Sequence, residues 1–299
     1  FAAKHVNPSL TSTPLRRDDS LIGVSPAYFI SRYSNRFSTA EVTEGLADIA
    51  RLGCTGFQLE VYHREMLDEW LNGGARLIRQ RSRDLDLAAT QFVAHFMMQA
   101  FADPQSLNSS SEIEDMQNVL EIVSGFNECT TITVPLGAFE PDPTCDRDDY
   151  RMYFERCCKK IGALLEMVEK SGRQMALEIM PAAIIGGVDG FLRLSEHLGT
   201  DSLGLNFDTG HAWAAKENLY LIPAKLGRRI LGTHLCDNFG HENLSLRPGA
   251  GSIDWPRIIN ALQSAEYTGS YDLEIICRPE DVQREYQQAY AFIDIELNR

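Results

Sequence analysis

The sequence predicts an α/β chain folded as a single (β/α)8 TIM barrel, and three observations carry that expectation. Short β-branched or aromatic runs alternate with longer segments of helical period about eight times, the pattern of parallel βα units. A length of 299 residues suits one such barrel. Each of the last four apolar runs also carries a charged residue or a histidine near its end, on the face where a barrel gathers its functional groups.

The strand runs fall at 21–29, 56–62, 87–95, 130–139, 174–180, 203–208, 230–236 and 269–277. Helical segments follow at 39–51, 65–83, 111–126, 148–171, 188–198, 218–228, 255–266 and 279–297. Ser38 and Glu41 offer a capping box for the first of these, and Gly53, Gly172 and Gly199 stand where a left-handed residue ends a helix. The competing doubly wound sheet expects a Gly-rich first βα turn, and Gly23-Val-Ser-Pro is not one. Residues 21–299 therefore read as one barrel domain, preceded by an irregular lead-in over residues 1–20. The stretch 141–149, rich in Pro and Asp, reads as an exposed loop over the barrel mouth.

Composition narrows the function classes. Hydrophobic residues make up 44% and charged ones 23%, enough for a large core in an ordinary globular chain. The net charge of −14 argues against a nucleic-acid partner, because phosphate binding draws on an excess of Lys and Arg. No apolar run approaches the roughly 18 residues of a membrane span. Phe1 to Pro14 lacks the apolar centre of a signal peptide, although a first residue other than methionine leaves a removed segment open. Seven cysteines, odd in number and irregular in spacing, read as reduced thiols and point to a cytoplasmic setting.

Four residues define the expected site. They are Glu178 in ALEIM, Asp208 in LNFDTGH, His234 in GTHLCD and Glu274 in DLEII, one from each of the last four strand runs. Their neighbours are mainly apolar, so these side chains must point into the barrel, where an unpaired charge is costly. Taken singly, each could be satisfied by an ion pair or water. Taken together, three carboxylates and an imidazole form the ligand set of one divalent ion, with Mn²⁺ preferred and Mg²⁺, Co²⁺ or Zn²⁺ compatible. Of the earlier strands, alternation puts Gln58 and Glu60 on one face, and Glu60 and His95 are candidates for contacts to substrate hydroxyls. Trp213 offers an apolar wall or plain core packing, and Asp237 and His241 are candidates for orienting His234.

The motifs FDTGHA at 207–212, HLCDN at 234–238, RPGAGSIDW at 247–255 and LEI at 273–275 resemble the xylose isomerase-like superfamily. That group includes ketose 3-epimerases, hydroxypyruvate isomerase, inosose dehydratase and endonuclease IV. The resemblance implies that Glu178, Asp208, His234 and Glu274 hold the metal, that Glu178 and Glu274 double as acid and base, and that His211 and Arg247 bind substrate oxygens. It implies an isomerase or epimerase acting on a small-molecule sugar or keto-sugar by proton abstraction and an enediolate. A lyase or dehydratase using the same first step is the alternative. A non-catalytic carbohydrate-binding relative and an AP endonuclease rank lower, and homo-oligomerisation is left open. The chain departs from the pattern after the fifth strand: Met180 and Pro181 stand where many members carry His or Asn, and Ala182-Ala-Ile-Ile185 replaces the second glutamate of the 3-epimerases.

Overall fold

The structure, a computed structural model, describes residues 21–299; the expected lead-in over 1–20 lies outside the described residues. Eight strands form one parallel sheet in the order β7-β6-β5-β4-β3-β2-β1-β8. They are β1 (Ile22–Val24), β2 (Gly56–Glu60), β3 (Ala88–Val93), β4 (Thr131–Leu136), β5 (Gln174–Ile179), β6 (Gly204–Asp208), β7 (Ile230–His234) and β8 (Tyr271–Leu273). The ring closes just beyond β7. Leu235 pairs with Leu273, its N–H donates to Asp272 O at 2.8 Å, and Glu274 N–H donates to Leu235 O at 3.0 Å.

The helices are α1 (Ala27–Tyr33), α2 (Thr39–Arg51), the three-residue α3 (Leu67–Glu69), α4 (Ala75–Asp84), α5 (Ser111–Val123), α6 (Arg147–Lys170), α7 (Val188–Leu198), α8 (Thr209–Ala214), α9 (Ile222–Leu226), α10 (Trp255–Ser264) and α11 (Val282–Leu297). Ser38 and Glu41 close the expected capping box on α2, and Gly199 ends α7 in the left-handed conformation. The 141–149 stretch is exposed, and Asp146 within it caps α6 by accepting from Asp148 and Asp149 N–H.

Several elements are shorter than the sequence predicts, each for a local reason. The first run ends at Val24, because Pro26 cannot extend a ladder and Ser25 Oγ accepts from Ala27 N–H, starting α1 where strand was expected. The segment 65–83 is broken by Gly73, whose φ of 118° no continuous helix tolerates. Pro223 confines the 218–228 segment to one short helix between tight turns. The last strand stops at Leu273, since side chains capture the backbone beyond it: Tyr286 Oη accepts from Ile275 N–H and Ser31 Oγ from Cys277 N–H.

Alternation sorts the strand residues into two sets. Phe57, Leu59, Ile132, Val134, Leu177, Leu205 and Phe207 pack under the helices, each burial worth about 1.5–3 kcal/mol. The inward set is largely polar and buried: Gln58, Glu60, Gln91, Thr133, Glu178, Asn206, Asp208, His234 and Asp272. Low in the barrel, Gln91 donates to Asn206 Oδ1 at 3.0 Å and accepts from Thr133 Oγ1 at 2.9 Å, so the interior is hydrogen-bonded and not oily. Among the described residues, no helix is long and apolar enough to cross a membrane.

Candidate metal centre at the barrel mouth

The strand ends of β5 to β8 bring the predicted ligands together. Glu178, Asp208, His234 and Glu274 each offer one ligand atom, and these atoms lie within 4.8 Å of one another. His234 Nδ1 stands at the centre, 2.9 Å from Glu178 Oε1, 2.7 Å from Glu274 Oε2 and 4.0 Å from Asp208 Oδ2. Asp208 spends Oδ1 on the N–H of His211, capping α8, while its buried Oδ2 has no hydrogen-bond partner. Three carboxylates around one nitrogen, with one oxygen orphaned, form a strained arrangement that a cation would satisfy. The donor set of three oxygens and one nitrogen fits a divalent ion.

A cavity of about 200 Å³ sits over these groups. Glu178, His211, His234 and Glu274 line it together with Glu60, His95 and Met180. His211 presents Nε2 3.8 Å from Asp208 Oδ2, and Asn243 lies against its Nδ1 at 3.3 Å. Glu60 Oε1 lies 3.4 Å from His95 Nδ1, and its buried Oε2 is unpartnered. His95 opens a tight 3-10 turn past β3 instead of ending the strand, and its ring stacks on Tyr62 with centroids 4.0 Å apart. Tyr62 and Asn243 escape the sequence reading: Tyr62 ends the 56–62 run on the face of Gln58 and Glu60 but carries no assigned role there, and Asn243 lies in a loop that no periodicity marks.

Comparisons with known proteins bear on the family and the fold. The sequence profile of the family described as xylose isomerase-like TIM barrel matches residues 46–295. The chain belongs to the xylose isomerase-like TIM-barrel family. Among similar solved structures are an L-ribulose 3-epimerase (TM-score 0.72, 18% identity, 93% of this chain and 95% of that one) and the IolI protein with a bound zinc atom (0.71, 15%, 93% and 97%). A 3-keto-D-glucoside 4-epimerase from E. coli is also similar (0.70, 16%, 92% and 99%). At these identities the structures establish the fold. Two curated relatives, both uncharacterized, match over shorter stretches. One is from Sinorhizobium fredii, 29% identical over 28% of this chain, and one from Methanocaldococcus jannaschii, 26% identical over 38%. Those matches span 27% and 41% of the relatives' own lengths.

In this xylose isomerase-like barrel the remaining predicted residues lie away from the ligand cluster. Arg247, 31% exposed, pairs through Nε with Glu285 Oε2 at 3.2 Å and is not among the residues lining the cavity. Asp237 does not touch His234, a correction to the orienting role expected of it. It instead ties together the long loop after β7, accepting from Asn238, Gly249 and Ile253 N–H and from Trp255 Nε1–H. His241 is exposed. Trp213 is half-buried and donates to Ser252 Oγ, bracing the same loop. The group that meets the other ring nitrogen of His234 is Gln58, whose Oε1 lies 2.8 Å from Nε2. Alternation had put Gln58 on the inward face without giving it a role.

Crowding sets the electrostatics. Burial, reinforced by Glu274 and Glu178 and opposed by the two histidines, raises the Asp208 carboxyl to about 7. Burial would lower His234, but Glu178 and Glu274 outweigh it and hold the imidazolium well above its ordinary range. Burial likewise raises Glu60 above the usual carboxylate range, against the opposing pull of His95. All three shifts run upward, as crowded buried carboxylates require, and a cation among them would relieve that crowding.

Proposed function

We propose that this protein is a divalent-metal-dependent isomerase or epimerase of a sugar or keto-sugar, with Mn²⁺ preferred among the ions this donor set accepts. The observation that carries the reading is the convergence of two glutamates, Glu178 and Glu274, with Asp208 and His234 beneath a cavity of about 200 Å³. The epimerases among the similar structures support the same class. The seven cysteines, all free thiols, support a reducing, cytoplasmic setting.

A bound divalent ion supplies Lewis acidity next to a substrate carbonyl, which acidifies the neighbouring C–H. The side chains do the rest. Glu178 and Glu274 enter from β5 and from the end of β8, with β6 and β7 between them. A carboxylate oxygen of one takes the proton from the carbon beside the carbonyl, and the carboxyl of the other returns a proton to the opposite face. The His211 ring, steadied at Nδ1 by the Asn243 side chain, turns Nε2 toward a substrate hydroxyl. Glu60 and His95 offer an acceptor and a donor to hydroxyls farther along the chain. Met180, Ala27 and Ile30 line the remaining wall with apolar groups that limit water.

A lyase would begin with the same proton removal and then expel a β-hydroxyl. Incubating the Mn²⁺-loaded protein with a panel of keto-sugars in D₂O separates the outcomes by NMR. Deuterium at a substrate carbon, with all hydroxyls retained, is the expected result. Loss of a hydroxyl would replace the epimerase reading by the lyase one, and no exchange with any keto-sugar would remove both.

A further inference from the structure

We propose that Gln58 and Asp272 are positioning residues that hold His234 with its proton on Nε2, so that Nδ1 is the nitrogen available to the cation. The inference rests on the metal-site reading above and adds two residues to it. Both side chains are about 1% exposed and face inward one layer below the ligands, Gln58 two residues before Glu60 and Asp272 two before Glu274.

The direction of the hydrogen bonds follows from which groups can only accept. Asp272 accepts from Ser270 Oγ at 2.7 Å through Oδ1 and from Gln58 Nε2 at 2.9 Å through Oδ2. Both neighbours donate to Asp272, so its two oxygens accept, and this fixes the Gln58 amide with its nitrogen toward Asp272 and its oxygen toward His234. That oxygen, 2.8 Å from Nε2, can only accept, and Nε2 must therefore carry the hydrogen. A neutral imidazole protonated there keeps its lone pair on Nδ1, the atom that faces Glu178 and Glu274. Flipping the amide would set its oxygen against the buried carboxylate and move the imidazole proton onto Nδ1, where it would block coordination. The space for Asp272 is itself built in: a side chain at Gly23 of β1 would collide with Asp272 Oδ1.

The wild-type full chain, labelled with ¹⁵N-histidine and loaded with diamagnetic Zn²⁺, gives a direct readout through long-range ¹H–¹⁵N spectra, with His234 assigned from its loss in His234→Gln. The expected pattern is a proton on Nε2 and a metal-shifted Nδ1; a proton on Nδ1, or ligation through Nε2, overturns the proposal. In calorimetric titrations with Mn²⁺, Gln58→Leu is expected to weaken binding about 10–100-fold, the usual cost of losing a ligand's outer hydrogen-bond partner. Asp272→Asn keeps an oxygen for the Gln58 amide and is expected to stay within about threefold of wild type, whereas Asp272→Ala follows Gln58→Leu. Wild-type affinity in Gln58→Leu sinks the positioning role alone. A wild-type protein that binds neither ion sinks the metal reading, and this proposal with it. Should Gln58→Leu fail to fold, the wild-type spectrum decides by itself.

Discussion

The two halves of the barrel contribute unlike things to one site. Strands β5 to β8 each deliver a group to the ligand cluster, while β4 ends in Val134-Pro-Leu136 and delivers none. From the first half come Gln58 and Glu60 on β2 and His95 just past β3, all facing the cluster without belonging to it. The second half thus supplies every member of the ligand cluster, and the first half adds hydrogen-bonding groups around it, Gln58 on His234 and Glu60 and His95 at the cavity. A barrel lets the two jobs separate because inward residues from all eight strands share one axis.

The largest test of this division removes a second-half ligand. Asp208→Ala is expected to lower Mn²⁺ affinity more than about 100-fold by calorimetry, beyond the effect of losing an outer partner. An equal loss from Glu60→Gln would erase the distinction between the halves. Next come Glu178→Gln and Glu274→Gln, each expected to slow deuterium uptake into a substrate by about 10²–10⁴-fold, the usual contribution of a positioned acid or base.

Acidity sharpens the same contrast. The Asp208 carboxyl is raised to about 7 from an ordinary 3.8, so below that pH it must shed a proton to act as a ligand. His234, held above its ordinary range, must do the same. Metal affinity should therefore rise with pH and fall about tenfold per unit for each proton released as pH drops below 7, measured by titration at several pH values. For folding without metal, the sign also follows from the raised carboxyl. Stability linked to Asp208 is fully present below 3.8 and is lost as pH climbs through about 7.

Smaller effects belong to the first half and the rim. Glu60→Gln or His95→Ala is expected to raise KM about 5–10-fold, the scale of one hydrogen bond, with Mn²⁺ affinity unchanged. Arg247→Ala should be smallest. Paired with Glu285 and away from the cavity lining, it is expected to cost less than about 1 kcal/mol in thermal unfolding and to change KM less than about threefold. A KM rise above tenfold would bring Arg247 into contact with substrate.

How much of this was legible in the sequence follows the same partition. Glu178, Asp208, His234 and Glu274 could be read because a charge inside an apolar strand has nowhere else to point, and one-residue alternation is a strong signal. Gln58 and Asp272 obey the same alternation, yet uncharged Gln58 announces nothing, and Asp272 stands two residues from a more conspicuous glutamate. Asp237 misled because proximity along the chain to His234 says little once the backbone leaves the strand. There its carboxylate turns to loop N–H groups that no periodicity reveals. The helix boundaries near Pro26, Gly73 and Pro223 were displaced by single residues whose backbone restrictions override the surrounding pattern.

The seam of the ring carries a last consequence. Strands β4 and β5 pair across six residues, but beyond β7 the circle is joined to β8 through the Leu235–Leu273 bridge. His234 and Glu274 flank that joint directly, so an ion held by both acts as a clasp across the thinnest part of the hoop. Amide deuteration of Leu235 and Glu274 should then slow on loading far more than that of β4, and stripping the ion should let the barrel open there first.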